Sequence, residues 1–441
     1  MSVPPASRRT VSRVTFFVFV TVFLDLVGFG IVMPSMPFYV KSMGGDAQTV
    51  GFLLAGFSLC QVVATPFLGQ LSDRIGRRKV ILMSLAGNAL AMVIFAAATH
   101  LALLPLLFLS RLLAGATAGN LSACQAAIAD VAEGEERTKG MGRLGAGIGL
   151  GMMLGPLIGG ELSHFGPWAP PIGAAAMALA DVIGAFFLMP ETRRAAAPLD
   201  AAAAPRPSLL RVLAQRPLLM VLGLYFLTFL AMTNLQVALA FLVDARFGWN
   251  EKEVGRLFGL LGMLALIIQG GLIGPLARGF KHLNLVLAGA VLLAIGMALI
   301  GTAQQPWMVI VGLVFVGVGL GVTNPLLSVI AAHLAGGESR GVVLGFAQSS
   351  GGLARTVGPL WGGFLFSHIS TGAPFFGGAV AAALSSIVVL VPAQQRRGRA
   401  RAGARVGMSP LVAPRGDPRG PGGHQPVTTS IAAVSCSSAT S

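Results

Sequence analysis

The sequence predicts an all-α membrane protein: twelve transmembrane helices in two six-helix pseudo-repeats. Three observations carry the prediction. Only 11% of the residues are charged and 54% are hydrophobic, where a soluble domain is about one quarter charged. Twelve apolar runs are long enough for a spanning helix, which needs about 20 residues. Finally, features of the first half recur in the second at one distance: Arg137 and Pro156 are matched by Arg340 and Pro359, each 203 residues later.

The first run, residues 14–40, follows Arg8, Arg9 and Arg13 and contains Asp25. It is longer than the apolar core of a signal peptide, so it reads as a retained span. The others in the first half are 50–71, 80–99, 102–129, 140–162 and 168–189. The second half supplies 217–243, 253–276, 283–303, 306–332, 341–366 and 372–392. The chain thus divides into a short segment 1–13, a six-helix bundle 14–189, a linker 190–216 rich in Ala, Pro and Arg, a second bundle 217–392 and a tail 393–441. The tail is Arg-, Gly-, Pro- and Ser-rich and cannot bury a core, so disorder is expected there. With 59 glycines in the chain, helices can approach closely.

Charge sets the orientation. Of 31 Lys and Arg residues, 25 fall on one side, four (Lys41, Arg246, Lys252 and Arg256) on the other, and Arg111 and Arg355 within spans. The positive-inside rule then places both termini in the cytoplasm of a multi-pass protein of the cell inner membrane or plasma membrane. The net charge of +15 does not point to nucleic acid, because the basic residues sit in separate short loops rather than on one solvated face. Cys60, Cys124 and Cys436 form neither a disulfide framework nor a metal cluster. No phosphate-cradling loop, His-x-x-x-His pair or nucleophile elbow is found. Neither enzyme activity nor a cofactor nor a metal is expected. The expected partners are a small-molecule substrate, protons and the lipid bilayer, with the chain acting as a monomer.

The stretch Gly69-x-x-x-Asp73-Arg74-x-Gly76-Arg77-Arg78-Lys79 packs four cations and one anion between the second and third runs. Gly76 permits the backbone turn, and Asp73 is placed to pair with Arg77 or with a cation across the interface. The stretch therefore reads as a gating clasp as well as a topological anchor. In the fifth run, Gly147, Gly151, Gly155 and Gly159 recur at every fourth position, joined by Pro156 and Gly160. They line one helix face that can meet a neighbour at backbone distance.

Charges at membrane depth are costly and mark sites. Asp25, Arg111 and Asp181 are the proton-coupling candidates, with Glu161 and Arg355 as further charges within spans. Arg111, Gly115 and Gly119 share a helix face, and a guanidinium there can stabilise the charged form of a nearby acid. Asp130, Glu133, Glu135 and Glu136 are placed to meet the cations of the clasp or linker. Uncharged polar groups that can line a cavity are Gln61, Asn120, Gln125 and Asn234. Gln236, Gln269, Asn324 and Gln348 complete that set.

The clasp resembles the loop 2/3 signature of the major facilitator superfamily. The glycine string of the fifth span, Gly147 to Gly160, is similar to the antiporter motif of drug-exporting facilitators. Leu24-Asp25-Leu26-Val27-Gly28-Phe29-Gly30-Ile31-Val32-Met33-Pro34 is similar to the first span of tetracycline/H+ antiporters, and Arg111 to Asn120 to the basic motif of span 4. The resemblance covers residues 14–392. It implies export of a drug or secondary metabolite in exchange for protons by alternating access. It also implies departures: where the tetracycline carriers place acids in spans 3 and 9 and a His in span 8, this chain has Ala91, Leu292 and Ala265. A tetracycline–metal chelate is therefore not the expected substrate. Two alternatives stay open: a proton-coupled importer or uniporter of a small organic solute, and a non-transporting membrane sensor on the same scaffold.

Overall fold

The computed structural model describes residues 8–192, 216–334 and 336–388, and these are helical with no strand. The tail expected to be disordered lies outside the described residues, as does most of the linker. Each predicted run becomes a helical unit, numbered here as spans 1 to 12. They are Thr10–Ser42, Ala47–Ile75, Arg77–Leu101, Leu104–Val131, Gly134–Phe165, Ala169–Leu188, Leu218–Phe247, Glu251–Gly279, His282–Gly301, Pro306–His333, Gly336–His368 and Ala373–Val388. Ten are long and apolar enough to cross a membrane. Span 11 is long but diluted by glycine, and span 12 is a shorter apolar helix. Large side chains such as Phe67, Phe165 and Phe187 are more than two-thirds exposed, an outer surface suited to lipid.

Local chemistry fixes the helix ends. Asp46 accepts from the Thr49 N–H and starts span 2 with a capping box; Asn250 and Glu253 build another at the start of span 8. Each box satisfies two backbone donors that a helix start leaves open. Between spans 2 and 3, Gly76 adopts φ +108°, a conformation that side chains with a Cβ rarely enter, so a single residue turns the chain. Span 1 is interrupted at residues 33–35, where Pro34 lacks the N–H that a helix needs. Span 4 is interrupted between Ala116 and Asn120.

Within the first six spans, span 1 packs on spans 5 and 6, and span 3 on spans 4 and 6. Within the last six, span 7 packs on span 11, and span 10 on spans 8 and 9. Two seams join these sets: span 2 against span 11, and span 5 against span 8. The repeat exchanges span 2 with span 8 and span 5 with span 11, so the seams are mates. Gly51 abuts the Pro359 carbonyl in one; Gly255 abuts the Pro156 carbonyl in the other. The repeat offset is 204 residues at these glycines and 205 at the clasp, where Gly69 corresponds to Gly274. The added residue is taken up by a π-helical turn at Ile268–Leu272 in span 8, the usual way an α-helix absorbs an insertion.

The two ends of the molecule differ. At the end away from the clasp, apolar core residues of spans 1 to 6 merge with Val237 and Phe241 of span 7, and Phe366 packs against the cores of both halves. At the clasp end the buried clusters stay apart, one built only from residues 11–189 and the other only from residues 218–347. On the seam spans near the clasp end, Gly69, Gly145, Gly270 and Gly274 have nothing within 4 Å of a Cβ position among the described residues. The far end is closed and the clasp end splayed.

Candidate functional site

Asp25 lies inside the first bundle. Its carboxylate accepts from Asn88 Nδ2 at 2.8 Å and from Asn120 Nδ2 at 3.4 Å. Asn120 stands at the start of the second half of broken span 4, and its Oδ1 accepts from Cys124 Sγ at 3.2 Å. Asp181 of span 6 is 2% exposed, and its Oδ2 has no hydrogen-bond partner among the described residues. Spans 1, 3 and 4 thus converge on Asp25 and two amides, with a second carboxylate, Asp181, buried in span 6 of the same bundle. Asn88 is the member that sequence reading missed; its signal is a lone amide in the middle of span 3.

Arg111 stands elsewhere. It is 1% exposed, its guanidinium lies 4.7 Å from the centroid of Phe95, and Nη2 approaches Met92 Sδ at 3.7 Å. No ion pair to it forms among the described residues, and the hydrogen bonds to Asp25 come from amides instead. Its contacts fasten span 4 to span 3.

The clasp is engaged within its own half. Arg77 binds Asp73 at 2.6 Å, Asp130 of span 4 at 2.9 Å and Ser72 Oγ at 2.5 Å. Its backbone N–H donates to Glu191 at 2.9 Å, while Arg78 donates to the Phe186 carbonyl at 2.6 Å. Three helix ends are thereby tied to one loop.

The glycine string of span 5 faces span 1. Gly147 lies against the Phe19 carbonyl, Gly151 against Leu26, Gly155 against Gly30 and Gly159 against Ile31. Gly160 turns instead to span 8, and Pro156 bridges the two, its ring against Gly30 of span 1 and its carbonyl against Gly255 of span 8. At the repeat mate of Gly147 stands Ser350, whose Oγ donates to the Leu222 carbonyl at 2.8 Å; Leu222 is the mate of Phe19, so a hydroxyl replaces bare backbone approach.

Of the polar candidates, Asn234 is buried with both amide atoms unpartnered, and Asn324 Oδ1 is likewise unpartnered among the described residues. Gln61 and Gln236 are half-buried, and Gln125, Gln269 and Gln348 are exposed. Asn120 alone of this set reaches Asp25.

At the far end, polar ties cross between the halves. Lys41 pairs with Asp244 at 2.5 Å, Ser367 Oγ donates to Asp46 at 2.9 Å, and Glu161 holds Arg256 at 3.1 Å and Lys252 at 3.4 Å. Hydrogen bonding by Thr49 and Ser367 outweighs partial burial and holds the Asp46 carboxyl below the usual carboxylate range. Lys41 and Asp244 are 203 residues apart, the repeat offset itself. Two mates that touch each other must lie beside the axis relating the halves.

Comparison with known proteins agrees with this architecture. The Major Facilitator Superfamily model matches residues 18–354 and 221–439. The tetracycline resistance protein, class E, of Escherichia coli is 31% identical over 362 residues, covering 81% of this chain and 88% of that protein. Multidrug resistance protein 2 of Bacillus subtilis is 27% identical over 358 residues, covering 78% and 86%. Among solved structures, the human organic anion transporter MFSD10 (TETRAN) superposes with a TM-score of 0.65 at 27% identity, covering 86% of this chain and 99% of that one. On the family match, the helical architecture and these relatives, the chain belongs to the Major Facilitator Superfamily, as a multi-pass membrane transporter homologous to tetracycline and multidrug efflux proteins.

Proposed function

We propose that the protein is a secondary active exporter that moves a small organic compound outward in exchange for protons by alternating access. The observation that carries this reading is the pair of interior carboxylates, Asp25 and Asp181, gathered in one half beneath a closed far end. A carboxylate at membrane depth costs about 2.5–3.5 kcal/mol on insertion scales. A group of that cost with amide partners and no cation among the described residues suits a site that alternates between charged and neutral. With the clasp end taken as cytoplasmic, the closed far end corresponds to an inward-open state that admits substrate from inside.

In this cycle Asp25 takes a proton from the outside, the halves rock, and the proton leaves to the cytoplasm. Asn88 and Asn120 hold the carboxylate in place through both states, since an amide donates to the charged form and its N–H tolerates the neutral one. Each proton entering down a 100 mV potential supplies about 2.3 kcal/mol. The test is a growth-inhibition panel in a pump-deficient host, followed by inverted vesicles given an inward proton gradient. Asp25→Asn is expected to abolish proton-driven accumulation while energy-independent exchange continues. Unchanged active accumulation in that variant would remove Asp25 from coupling.

A further inference from the structure

One cation within the spans has no counterpart in the cycle described above. Arg355 of span 11 lies at membrane depth, and its guanidinium stands 5.1 Å from the centroid of Phe229 in span 7. Its Nε is buried without a hydrogen-bond partner, and no carboxylate pairs with it among the described residues. The acids described in spans 7 and 8, Asp244, Glu251 and Glu253, all sit at the far end. The π face of Phe229 offsets only part of the cost of such a charge. Arg111 makes an instructive contrast: it is sealed in side chains, whereas Arg355 is only half-buried.

The position of Arg355 in the fold says where its unmet donors point. On span 11, Gly363 abuts Ala47, Pro359 abuts Gly51, and Gly352 abuts Val62, all in span 2. These residues recur at three- and four-residue intervals, and Arg355 falls in the same series between Pro359 and Gly352. It therefore occupies the face of span 11 that meets the other half. Backbone-to-backbone contact holds above it at Pro359 and gives way below it to a side-chain contact at Val62, on the side where the halves part. Its repeat mate in span 5 is Met152, so the charge belongs to one seam only.

We propose that Arg355 and Phe229 form the recognition subsite for an organic anion: a carboxylate or sulfonate carried on an aromatic or otherwise apolar body, bound in the seam between the halves. The planar fork of the guanidinium donates two parallel N–H groups to such an anion, and Phe229 and Val62 take the apolar body. Substrate recognition then lies in the C-terminal half and proton binding in the N-terminal half. This inference rests on the transport reading and names its substrate class.

The experiment uses the full chain in phosphatidylcholine liposomes, so that no anionic headgroup competes for the site. The probes are 1-naphthoate and 1-naphthamide, matched in shape and differing in charge, measured both by equilibrium binding and by counterflow. Wild type is expected to prefer the carboxylate. Arg355→Met installs the residue that the other seam already uses, and it should weaken carboxylate binding about ten- to hundredfold, the span for losing a charged hydrogen-bond partner. The carboxamide should be unaffected, and Arg355→Lys should retain part of the preference, since it keeps the charge without the fork. A merely structural arginine would impair both probes alike in Arg355→Met, and that result, or a wild type indifferent to charge, would overturn the proposal. If neutral compounds are still actively exported by Arg355→Met with no carboxylate preference in wild type, transport stands and the anion subsite falls. If the carboxylate binds selectively but no probe undergoes counterflow, the subsite stands and the transport reading falls.

Discussion

The Lys41–Asp244 pair offers a direct test of how the far end is held shut. The pair is 2.5 Å long, with side chains 59% and 25% exposed. An ion pair so open to solvent contributes about 0.2–1 kcal/mol. Neutralising both ends should shift the balance between closed and open far ends by at most about fivefold. Lys41→Asp does more, because it replaces attraction with repulsion; taken as twice the pair energy, the shift reaches about thirtyfold. Because the two residues are repeat mates beside the axis, exchanging them as Lys41→Asp with Asp244→Lys should restore the wild-type balance. Spin labels at Ser42 and Thr302, both exposed at the far end in opposite halves, report the opening as a distance distribution after Cys60, Cys124 and Cys436 are replaced. A long-distance population should grow with Lys41→Asp and shrink again in the exchanged pair. If the exchanged pair opens the far end as much as the single reversal does, the two residues do not act as a mated lock and the argument fails.

Two further outcomes follow from the seams and the clasp. Asp73→Asn should slow vesicle transport far more than Arg278→Gln, its repeat counterpart, since Asp73 is bonded to Arg77 while no ion pair involves Arg278 among the described residues; equal effects would leave the loop a topological anchor alone. Gly51→Ala and Gly255→Ala each push a methyl into a proline carbonyl of the opposing span, an overpacking of about 1–3 kcal/mol, so both should raise the open far-end population measured with the same spin labels, and opposite effects would contradict the equivalence of the seams.

Much of this architecture was legible because membrane constraints write themselves into composition. A spanning helix must be apolar over its whole length, so the runs that became Ala47–Ile75 or His282–Gly301 stood out without any tertiary information. The repeat was visible for the same reason that the clasp was: Pro156, Pro359 and Gly76 serve backbone geometry that few other residues allow. What stayed hidden depends on which helices become neighbours. Asn88 is an ordinary amide in span 3 until packing places it on Asp25. Arg111 has the right charge to serve that acid, yet span 4 turns it toward Met92 and Phe95. Lys41 and Asp244 each stand one residue past an apolar run, where a charge is ordinary. Only their separation, equal to the repeat offset, carried the clue.

The two halves share geometry but not chemistry, and that difference gives an otherwise symmetric device a direction. The seams are mates down to the glycines that meet proline carbonyls at Gly51 and Gly255, so neither seam alone can favour one side of the membrane. Carboxylates have collected in one half, at Asp25 and Asp181, and in the other stands Arg355, a guanidinium with no ion pair among the described residues. In the cycle proposed above, a small anion entering the open clasp end meets the cation of one half, while a proton neutralises an acid of the other. Each event changes the cost of holding charge in the low-dielectric interior, and such costs rise steeply as water is excluded.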